Sequence, residues 1–378
     1  MRVCHIRYSY YPGQGATSVY EYTKALSQAG HDVHAIVAQR PEEPVNDTIN
    51  GVVVHRISVP RIKKGSLWPI FFFLKASRKL KEIENKTGSF DIVHVYMALG
   101  SFFIPLIGNK KSTYILSIVS GSIRSGLWNR IAGILIRGES KSFDTITVLD
   151  KGLAKTLFRT QCVHIVPLGA DFKKFKPQSS TARTQVGIPH DHTVFVYTGS
   201  VHQKRNIDKV LSAFKKVVLQ CESVTLLIIG GGKNLEPLKK IAKTMELAEN
   251  VIFTGYVGYD MVPDLLNAAD IALSYVPMTP GFDNQPPLKT VEYMACGLPT
   301  IATNTAGNRV FIQDTYNGIL TQDDEYSLSN AMLMLIKDRA LKDTLKKNSR
   351  PSVKQYDWSK IVNTKLIPFY ESCVDSGQ

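Results

Sequence analysis

The stretch Gln285–Asn304, QPPLKTVEYMACGLPTIATN, decides the fold because it joins a short helix to a strand. Pro287 can start the helix, since the first helical position needs no backbone N–H partner, and Gly297 can end it. The run Pro299–Thr303 that follows is typical of a strand. Glu292 lies inside this apolar helix, with no basic residue three or four positions after it, so the sequence raises the question of what this acid binds.

The alternation of strands and helices extends over the rest of the chain. In the second half, TVFVYTGS, VTLLIIGGG, NVIFTGYV and DIALSYVP alternate with segments of helix length. The first half repeats the pattern from VCHIRYSY through GHDVHAIVAQ, FDIVHVYM and STYILSIVS to FDTITVLD. Short apolar strands separated by helices are typical of a parallel sheet covered on both faces. The sequence therefore predicts an α/β protein.

A polar, basic and turn-rich segment, Lys173–Pro189, separates the two halves and is the predicted linker. A chain of 378 residues also favours two domains. We expect doubly wound, Rossmann-like domains over residues 1–180 and 190–357, and a C-terminal helix over 358–378 that packs back on the first domain. The two domains are expected to face each other across a cleft, because ligands of such sheets bind beyond the carboxyl ends of the strands.

Composition and charge limit the class of protein. Hydrophobic residues make up 44% of the chain and charged residues 21%, which is typical of a globular protein. The net charge of +14 favours anionic partners, such as phosphorylated substrates, nucleic acid or an acidic membrane. The five cysteines are scattered, so we expect no zinc site and a reducing compartment. No signal peptide is apparent, and the apolar block Leu67–Leu74 is too short to span a bilayer.

Two glycine-containing loops follow predicted strands without matching a nucleotide fingerprint. Tyr11–Ser18, YPGQGATS, can bring a phosphate close to a helix start, and it can equally be a plain turn. Ser18 stands where a dinucleotide fingerprint has its third glycine or alanine. Ile228–Glu236, IIGGGKNLE, lacks the spacing of a Walker loop, so Lys233 is expected in solvent and a kinase or ATPase is disfavoured.

A third loop, within Thr198–Phe214, places Lys204 and Arg205 immediately before a predicted helix. Cations at a helix start suit a diphosphate without a metal. A solvated basic loop explains the same residues equally well.

Eight segments together resemble the retaining glycosyltransferases of GT-B architecture, in particular glycosyltransferase family 4. In order, they are YYPGQGATSVYEYTKALSQAGHDVHAIVA, FDIVHVY, IVPLGADFKKFKP, YTGS with the KRN that follows, LLIIGGG, VIFTGYV, AADIALSYVP and PPLKTVEYMACGLPTIAT. Each segment alone is a weak signal, but their order and spacing over nearly the whole chain are specific.

The resemblance implies a site for a nucleoside-diphosphate sugar. The family's helix that contains Glu292 faces the donor, so Glu292 is expected to accept hydrogen bonds from the two ribose hydroxyls. Arg205 aligns with the family's phosphate-binding lysine, and we expect it to stabilise the leaving diphosphate with the help of Lys204. The other donor-binding positions that the resemblance implies are Gly15, Ser200, Phe253, Gly255, Tyr256, Leu288, Lys289 and Thr290.

Three positions depart from the family pattern. Asn284 stands where the family commonly has a second glutamate, so it can hydrogen-bond a sugar hydroxyl but has no negative charge for an oxocarbenium-like centre. Ser200 replaces an arginine that begins the phosphate-binding loop. The family's acceptor-side histidine is replaced by Ser120 or the adjacent Val119. Asn284, Arg205 and Glu292 are the predicted catalytic residues, and Ser120 and His94 are the predicted acceptor-side residues.

The resemblance implies transfer of a sugar to an acceptor hydroxyl with retention at the anomeric carbon, and no Asp-x-Asp motif for a metal is apparent. We expect no cofactor, a glycan or lipid-linked acceptor, and a cytoplasmic protein. Pro60–Lys81, PRIKKGSLWPIFFFLKASRKLK, suits either a helix at the inner membrane surface or an amphipathic core helix. The alternatives are an epimerase, a pyridoxal-dependent phosphorylase and a non-catalytic nucleotide-sugar-binding or assembly subunit. Nucleic-acid binding lacks a recognition motif.

Overall fold

The computed structural model describes residues 1–13, 17–59, 67–119, 127–149, 151–158 and 163–375. The chain forms two compact units, one of Met1–Leu168 with Trp358–Gln378 and one of Gly169–Asp357. The second unit therefore begins ahead of the segment expected as a linker. The reason is that Phe175 and Ile188 of that segment are buried in the core of the second unit.

The first unit is built on an eight-stranded sheet. Its strands are β1 (Arg2–Arg7), β2 (Asp32–Ala38), β3 (Asn46–Ile49), β4 (Val52–Ile57), β5 (Ile92–Tyr96), β6 (Thr113–Ile118), β7 (Thr145–Val148) and β8 (Val163–Ile165). The strand order is β3-β4-β2-β1-β5-β6-β7-β8. All neighbours are parallel except β3 and β4, an edge hairpin that a wholly parallel sheet would lack. The order reverses between β1 and β5, and such switch points form crevices beyond the strand ends.

Helices cover the first sheet. Before the second unit these are α1 (Thr17–Gln28), α2 (Trp68–Thr87), α3 (Phe103–Ile107), α4 (Leu127–Ser140) and α5 (Lys151–Leu157). Of the three consecutive phenylalanines in α2, Phe72 and Phe73 are buried in the core whereas Phe71 is 51% exposed. Two of these three rings of α2 therefore pack in the core of the first unit.

The second unit has a six-stranded parallel sheet. Its strands are β9 (Thr193–Thr198), β10 (Val224–Ile229), β11 (Val251–Gly255), β12 (Ile271–Ser274), β13 (Thr300–Thr303) and β14 (Ile319–Thr321), in the order β11-β10-β9-β12-β13-β14. Its helices are α6 (Ala182–Gln185), α7 (Ile207–Val218), α8 (Leu235–Thr244), α9 (Val262–Asn267), α10 (Leu288–Ala295), α11 (Glu325–Lys337) and α12 (Arg339–Ser352). The helix and strand expected within Gln285–Asn304 are α10 and β13. The switch point of this sheet lies between β9 and β12.

Glycines let the loops after β9 and β10 pack backbone against backbone. Gly230 has a φ of 137°, and a Cβ built there would lie 2.0 Å from the Gly199 oxygen. A Cβ at Gly232 would lie 2.0 Å from the Val201 oxygen. The run of three glycines thus serves close packing at a strand–helix turn, and Lys233 is exposed as predicted.

The last helices return to the first unit. They are α13 (Trp358–Ile361) and α14 (Ile367–Asp375), joined by a π-helical turn at Val362–Leu366. The fully buried Tyr370 of α14 places its hydroxyl 2.5 Å from His94 Nδ1 and 3.3 Å from His5 Nε2. The predicted α/β fold with two doubly wound units is confirmed, and the predicted cleft between them stays a prediction.

Candidate active site

Two loops at the switch point of the second sheet contain Ser200, Lys204, Arg205 and Asn284, and the second loop leads into α10, on which Lys289 and Glu292 lie. One loop, residues 199–206, connects β9 to α7, and the other, residues 275–287, connects β12 to α10. Because β9 and β12 are adjacent parallel strands, both loops leave the same edge of the sheet. The fold therefore brings together two parts of the sequence about 80 residues apart, at the place where such sheets bind ligands.

Arg205 is held in place by an aromatic ring. It ends a 3-10 turn, Gln203–Arg205, and Asn206 after it takes a left-handed conformation, with φ of 46°, that starts α7. The guanidinium carbon of Arg205 lies 4.5 Å from the ring centroid of Phe282. Stacking uses the face of the guanidinium, so the N–H donors at its edge stay available to a ligand. Lys204, beside it, is exposed.

Lys289 is the second cation of this site. Its Nζ donates to the Tyr275 carbonyl oxygen at 2.9 Å and lies 3.8 Å from the ring centroid of Tyr197. Burial lowers the pKa of Lys289 well below its usual range, and the nearby charge of Arg205 lowers it further. Over the described ranges, neither cation forms an ion pair with a carboxylate. Two neighbouring cations without a counter-charge make a site for an anion.

Asp323 accepts two hydrogen bonds from the loop after β12 and one from Lys209 of α7. It accepts from the Tyr275 hydroxyl at 2.7 Å, from Met278 N at 2.9 Å and from Lys209 Nζ at 3.0 Å. Burial is the main cause that raises the pKa of Tyr275 above its usual value, and the hydrogen bond from its hydroxyl to Asp323 raises this pKa further. Because the Tyr275 carbonyl in turn holds Lys289, Asp323 positions the cation indirectly.

Glu292 lies on α10 with only 5% of its surface exposed. Its Oε1 accepts a hydrogen bond of 2.7 Å from the hydroxyl of Tyr259, which follows β11. The charge of Glu292 also contributes, after burial, to raising the pKa of the Cys296 thiol to about 12. The acid is thus fixed in one orientation by the strand end next to the predicted base pocket.

The start of α10 divides its residues between core and site. The Thr290 hydroxyl is fully buried, 2.5 Å from Ser274 Oγ and 2.8 Å from Asn308 Oδ1, and Thr290 N donates to Pro287 O at 3.1 Å. Thr290 therefore serves the helix and the core. The first turn of a helix leaves N–H groups without partners in the helix, and Leu288 occupies one of these positions together with Lys289.

Asn284 lies on the loop before α10, and the adjacent Asp283 ties this loop to residues after β13 by hydrogen bonds. Asp283 accepts hydrogen bonds from Ala306 N at 3.0 Å and from Gly307 N at 2.7 Å. Asn284 is half-buried and follows Phe282, the ring against Arg205, by two residues. Ser200 is exposed on the other loop.

The residues predicted for the base pocket lie at the end of β11. Phe253 packs against the core, and Gly255, with φ of 69°, accepts a hydrogen bond from Gly230 N at 2.9 Å. Tyr256 is 66% exposed, and a Cβ added to Gly231 would lie 3.2 Å from its backbone nitrogen. An exposed aromatic ring beside a glycine loop suits stacking of a nucleobase.

The predicted acceptor-side residues fall in different environments. His94 is 1% exposed, with Nδ1 at 2.5 Å from the Tyr370 hydroxyl and Nε2 at 3.3 Å from Thr147 Oγ1. Burial holds the pKa of His94 well below its usual value, so the ring is neutral. Gly15 and Ser120 lie outside the described residues.

Sequence reasoning missed the residues that hold the site together. Tyr259 and Glu292 are 33 positions apart, and Tyr275 and Asp323 are 48 apart, so no local spacing indicates either contact. Only Phe282, whose ring contacts Arg205, lies close in sequence to a predicted site residue, since it precedes Asn284 by two positions.

Two further properties concern the described residues as a whole. No three side chains of His, Cys, Asp or Glu are grouped there so as to hold a metal ion. No helix among them has the length and apolar character needed to cross a membrane.

Comparison with known proteins gives two family matches. The model Glycosyltransferase Family 4 matches residues 15–174, and the model Glycosyl transferases group 1 matches residues 178–351. The first match covers most of the first unit and the second covers most of the second unit.

Individual proteins are similar over nearly their whole length. N-acetyl-alpha-D-glucosaminyl L-malate synthase of Bacillus anthracis is 23% identical over 96% of this chain and 95% of its own. The structure of sucrose-phosphate synthase from Thermosynechococcus elongatus matches with a TM-score of 0.81 at 18% identity, covering 100% of both chains. That of Anabaena HepE in complex with UDP and glucose matches with a TM-score of 0.79 at 16% identity, covering 98% of this chain and 100% of that one. The two structures show the same fold.

Proposed function

Because this chain belongs to glycosyltransferase family 4 and is therefore an enzyme that transfers sugars, we propose that its donor is a nucleoside-diphosphate sugar. We further propose that the sugar passes to an acceptor hydroxyl with retention at the anomeric carbon. The observation that supports this best is the adjacent pair of cations, Arg205 and Lys289, at the switch point of the second sheet. Neither cation has a carboxylate partner among the residues that the structure describes, so an anion is the ligand that the pair would bind.

The cations would act on the leaving group. When the bond between the anomeric carbon and the diphosphate oxygen breaks, the nucleoside diphosphate gains negative charge. Arg205, Lys289, Lys204 and the start of α10 would stabilise it in place of a metal ion, by about 3 kcal/mol per well-placed donor. The acceptor oxygen bonds to the anomeric carbon on the face that the diphosphate leaves, and its proton passes to a phosphate oxygen of the leaving group.

Glu292 and Asn284 would orient the donor. A carboxylate can accept from both ribose hydroxyls, and the hydrogen bond from Tyr259 fixes the carboxylate of Glu292 before the donor binds. Asn284 would hydrogen-bond the sugar without adding charge. This division assigns nucleoside recognition to α10 and sugar contact to the loop before it.

The relatives supply first candidates for the substrates. HepE was crystallised with UDP and glucose, and the Bacillus anthracis protein is named for an L-malate acceptor. We propose a glycan or lipid-linked acceptor on the cytoplasmic side, and UDP is the first nucleotide to test.

Nucleotide binding and turnover test the proposal. Isothermal titration with the diphosphates of uridine, guanosine and adenosine should identify one ligand, whose Kd should rise about tenfold or more in Arg205→Ala and in Lys289→Met. Lys240→Ala, an exposed residue of α8, is the matched control. Donor consumption should fall in parallel. Undiminished binding and turnover in both variants would exclude this function.

We also propose that α2 contacts an anionic membrane. Its first turn exposes Phe71 by 51%, Leu67 just before it is 63% exposed, and Arg78 and Lys81 are exposed farther along the helix. Apolar and basic residues on one helix suit an anionic lipid surface. The protein should sediment with vesicles containing phosphatidylglycerol in low salt, and Phe71→Ser should reduce the sedimented fraction. The control Leu219→Ser, at a 72% exposed site of the second unit, should not reduce it. Equal sedimentation with neutral vesicles would contradict it.

A further inference from the structure

Arg7 is a partly buried arginine whose donors are hardly used. It ends β1, the strand next to β5 at the switch point of the first sheet. A terminal nitrogen lies 3.5 Å from Ser18 Oγ, a long hydrogen bond, and the guanidinium carbon lies 5.2 Å from the ring centroid of Tyr96. Within the part of the chain that the structure describes, these are the only polar and aromatic contacts of the Arg7 side chain.

Other arginines of the same unit have carboxylate partners. Arg2, at the opposite end of β1, has its Nε 2.9 Å from Asp32. The buried Arg56 lies 3.3 Å from Glu43 and 3.2 Å from Asp47. Taking a charge out of water costs free energy unless a counter-charge meets it. Among the described residues no carboxylate forms an ion pair with Arg7, and burial lowers the pKa of its guanidinium.

The surroundings hold Arg7 in this position. The Tyr96 hydroxyl lies 3.1 Å from His5 Nδ1, so the ring under the guanidinium is itself fixed. Nothing in these contacts provides negative charge.

A second electropositive feature lies at the same strand end. Ser18 is in the first turn of α1, a twelve-residue helix with no acidic residue in that turn. The N–H groups of a helix start attract anions. Ser9, two residues after Arg7, has a buried hydroxyl oxygen with no hydrogen-bond partner among the described residues.

We propose that Arg7, with the start of α1, binds a phosphate or carboxylate group of the acceptor substrate. The inference rests on the proposed function and specifies it, since the glycan or lipid-linked acceptor would carry a phosphate or carboxylate group in addition to the hydroxyl that reacts. The donor's diphosphate already has the cations Arg205 and Lys289 in the second unit. Arg7 supplies a separate cation for a separate anion.

Inorganic phosphate is the probe for this site. Its binding is followed by 31P line broadening in Arg205→Ala protein, where the anion site of the second unit is disabled. Adding Arg7→Ala should weaken phosphate binding about tenfold or more, whereas Arg7→Lys should restore part of it. Arg137→Ala, an exposed arginine of α4, is the control and should have no effect. Thermal melts establish that every variant is folded.

Nucleotide titration distinguishes acceptor from donor. With Arg7→Ala as the single change, the Kd of the nucleoside diphosphate should stay within about twofold of wild type. Unchanged phosphate binding on loss of Arg7 would overturn the proposal. A nucleotide Kd raised as much as in Arg205→Ala would also overturn it, because Arg7 would then serve the donor. Failure of wild type to bind any nucleotide would refute the proposed function and leave the phosphate result intact.

Discussion

Replacing Glu292 by glutamine removes one charge at the centre of the site and keeps the shape of the side chain. The carboxylate is 5% exposed and accepts from the Tyr259 hydroxyl at 2.7 Å. The amide oxygen of glutamine can still accept that hydrogen bond, so we expect a loss of only about 1 kcal/mol in stability. The variant should therefore fold and report on ligand binding.

The expected loss of nucleotide affinity follows from the hydrogen bonds to ribose. A hydrogen bond to a charged group contributes about 1.5–3 kcal/mol and one between neutral groups about 0.5–1.5 kcal/mol. If both ribose hydroxyls lose a charged acceptor, the free energy of nucleotide binding should become less favourable by about 2 kcal/mol in total. That corresponds to a Kd for the nucleoside diphosphate about 30-fold higher in Glu292→Gln.

A nucleotide without the 2′-hydroxyl tests whether the loss comes from ribose. Calorimetry should show that wild type prefers the ribonucleotide over its 2′-deoxy form by about tenfold or more, and that Glu292→Gln narrows this preference. Tyr259→Phe removes the hydroxyl that holds the acid but keeps the carboxylate, so it should keep most of the preference. If Glu292→Gln preserves the full preference, the carboxylate does not bind ribose and the reasoning fails.

Three other predictions follow from buried charges and close packing. The variant Lys289→Met should have a melting temperature at pH 7 no lower than that of wild type, because the substitution removes a partly buried ammonium next to another cation. Since folding lowers the pKa of Lys289, the stability of wild type should also increase as the pH rises toward about 10.5, and that of the variant should not. Burial lowers the pKa of His5 to about 3 and that of His94 well below its usual value, so both histidines take up protons when the protein unfolds in acid. The free energy of unfolding measured in urea should therefore decrease as the pH drops from about 6.5 toward about 3, and it should decrease less steeply in the variant His94→Gln. Gly230→Ala should lower stability by about 2 kcal/mol or more in thermal denaturation, whereas Gly258→Ala, with nothing within 4 Å of the added carbon, should be nearly neutral.

Each of these predictions has an outcome that contradicts it. A large drop in melting temperature for Lys289→Met would mean that the ammonium stabilises the fold. A pH profile in His94→Gln equal to that of wild type would place the acid sensitivity elsewhere. Equal stability of the two alanine variants would show that the loops after β9 and β10 adjust freely.

The helices and strands near the site could be predicted because their signals are local. Pro287 and Gly297 delimit α10 within about one residue, since proline and glycine act through their own backbone geometry. β3 could not be found, because NDTI is short and polar and becomes a strand only by pairing with β4. The linker was misplaced since turn-forming composition does not reveal that Phe175 is buried in the core of the second unit.

The site was accessible from sequence only in part. Arg205 and Glu292 could be proposed because each lies in a short motif, and their roles in binding stay predictions. Contacts between distant segments had no sequence signal, as between Lys289 and Tyr197 or between Asp323 and Tyr275. The sequence therefore indicates the residues that would meet the ligand better than those that hold them.

The return of the chain to the first unit bears on synthesis at the ribosome. The second unit is one continuous stretch, Gly169–Asp357, and can fold as soon as it emerges. The first unit must wait for Tyr370, whose hydroxyl closes over His5 and His94. During translation its polar centre remains uncovered until the final helix arrives, so truncation before residue 358 should harm the half of the molecule that was made first.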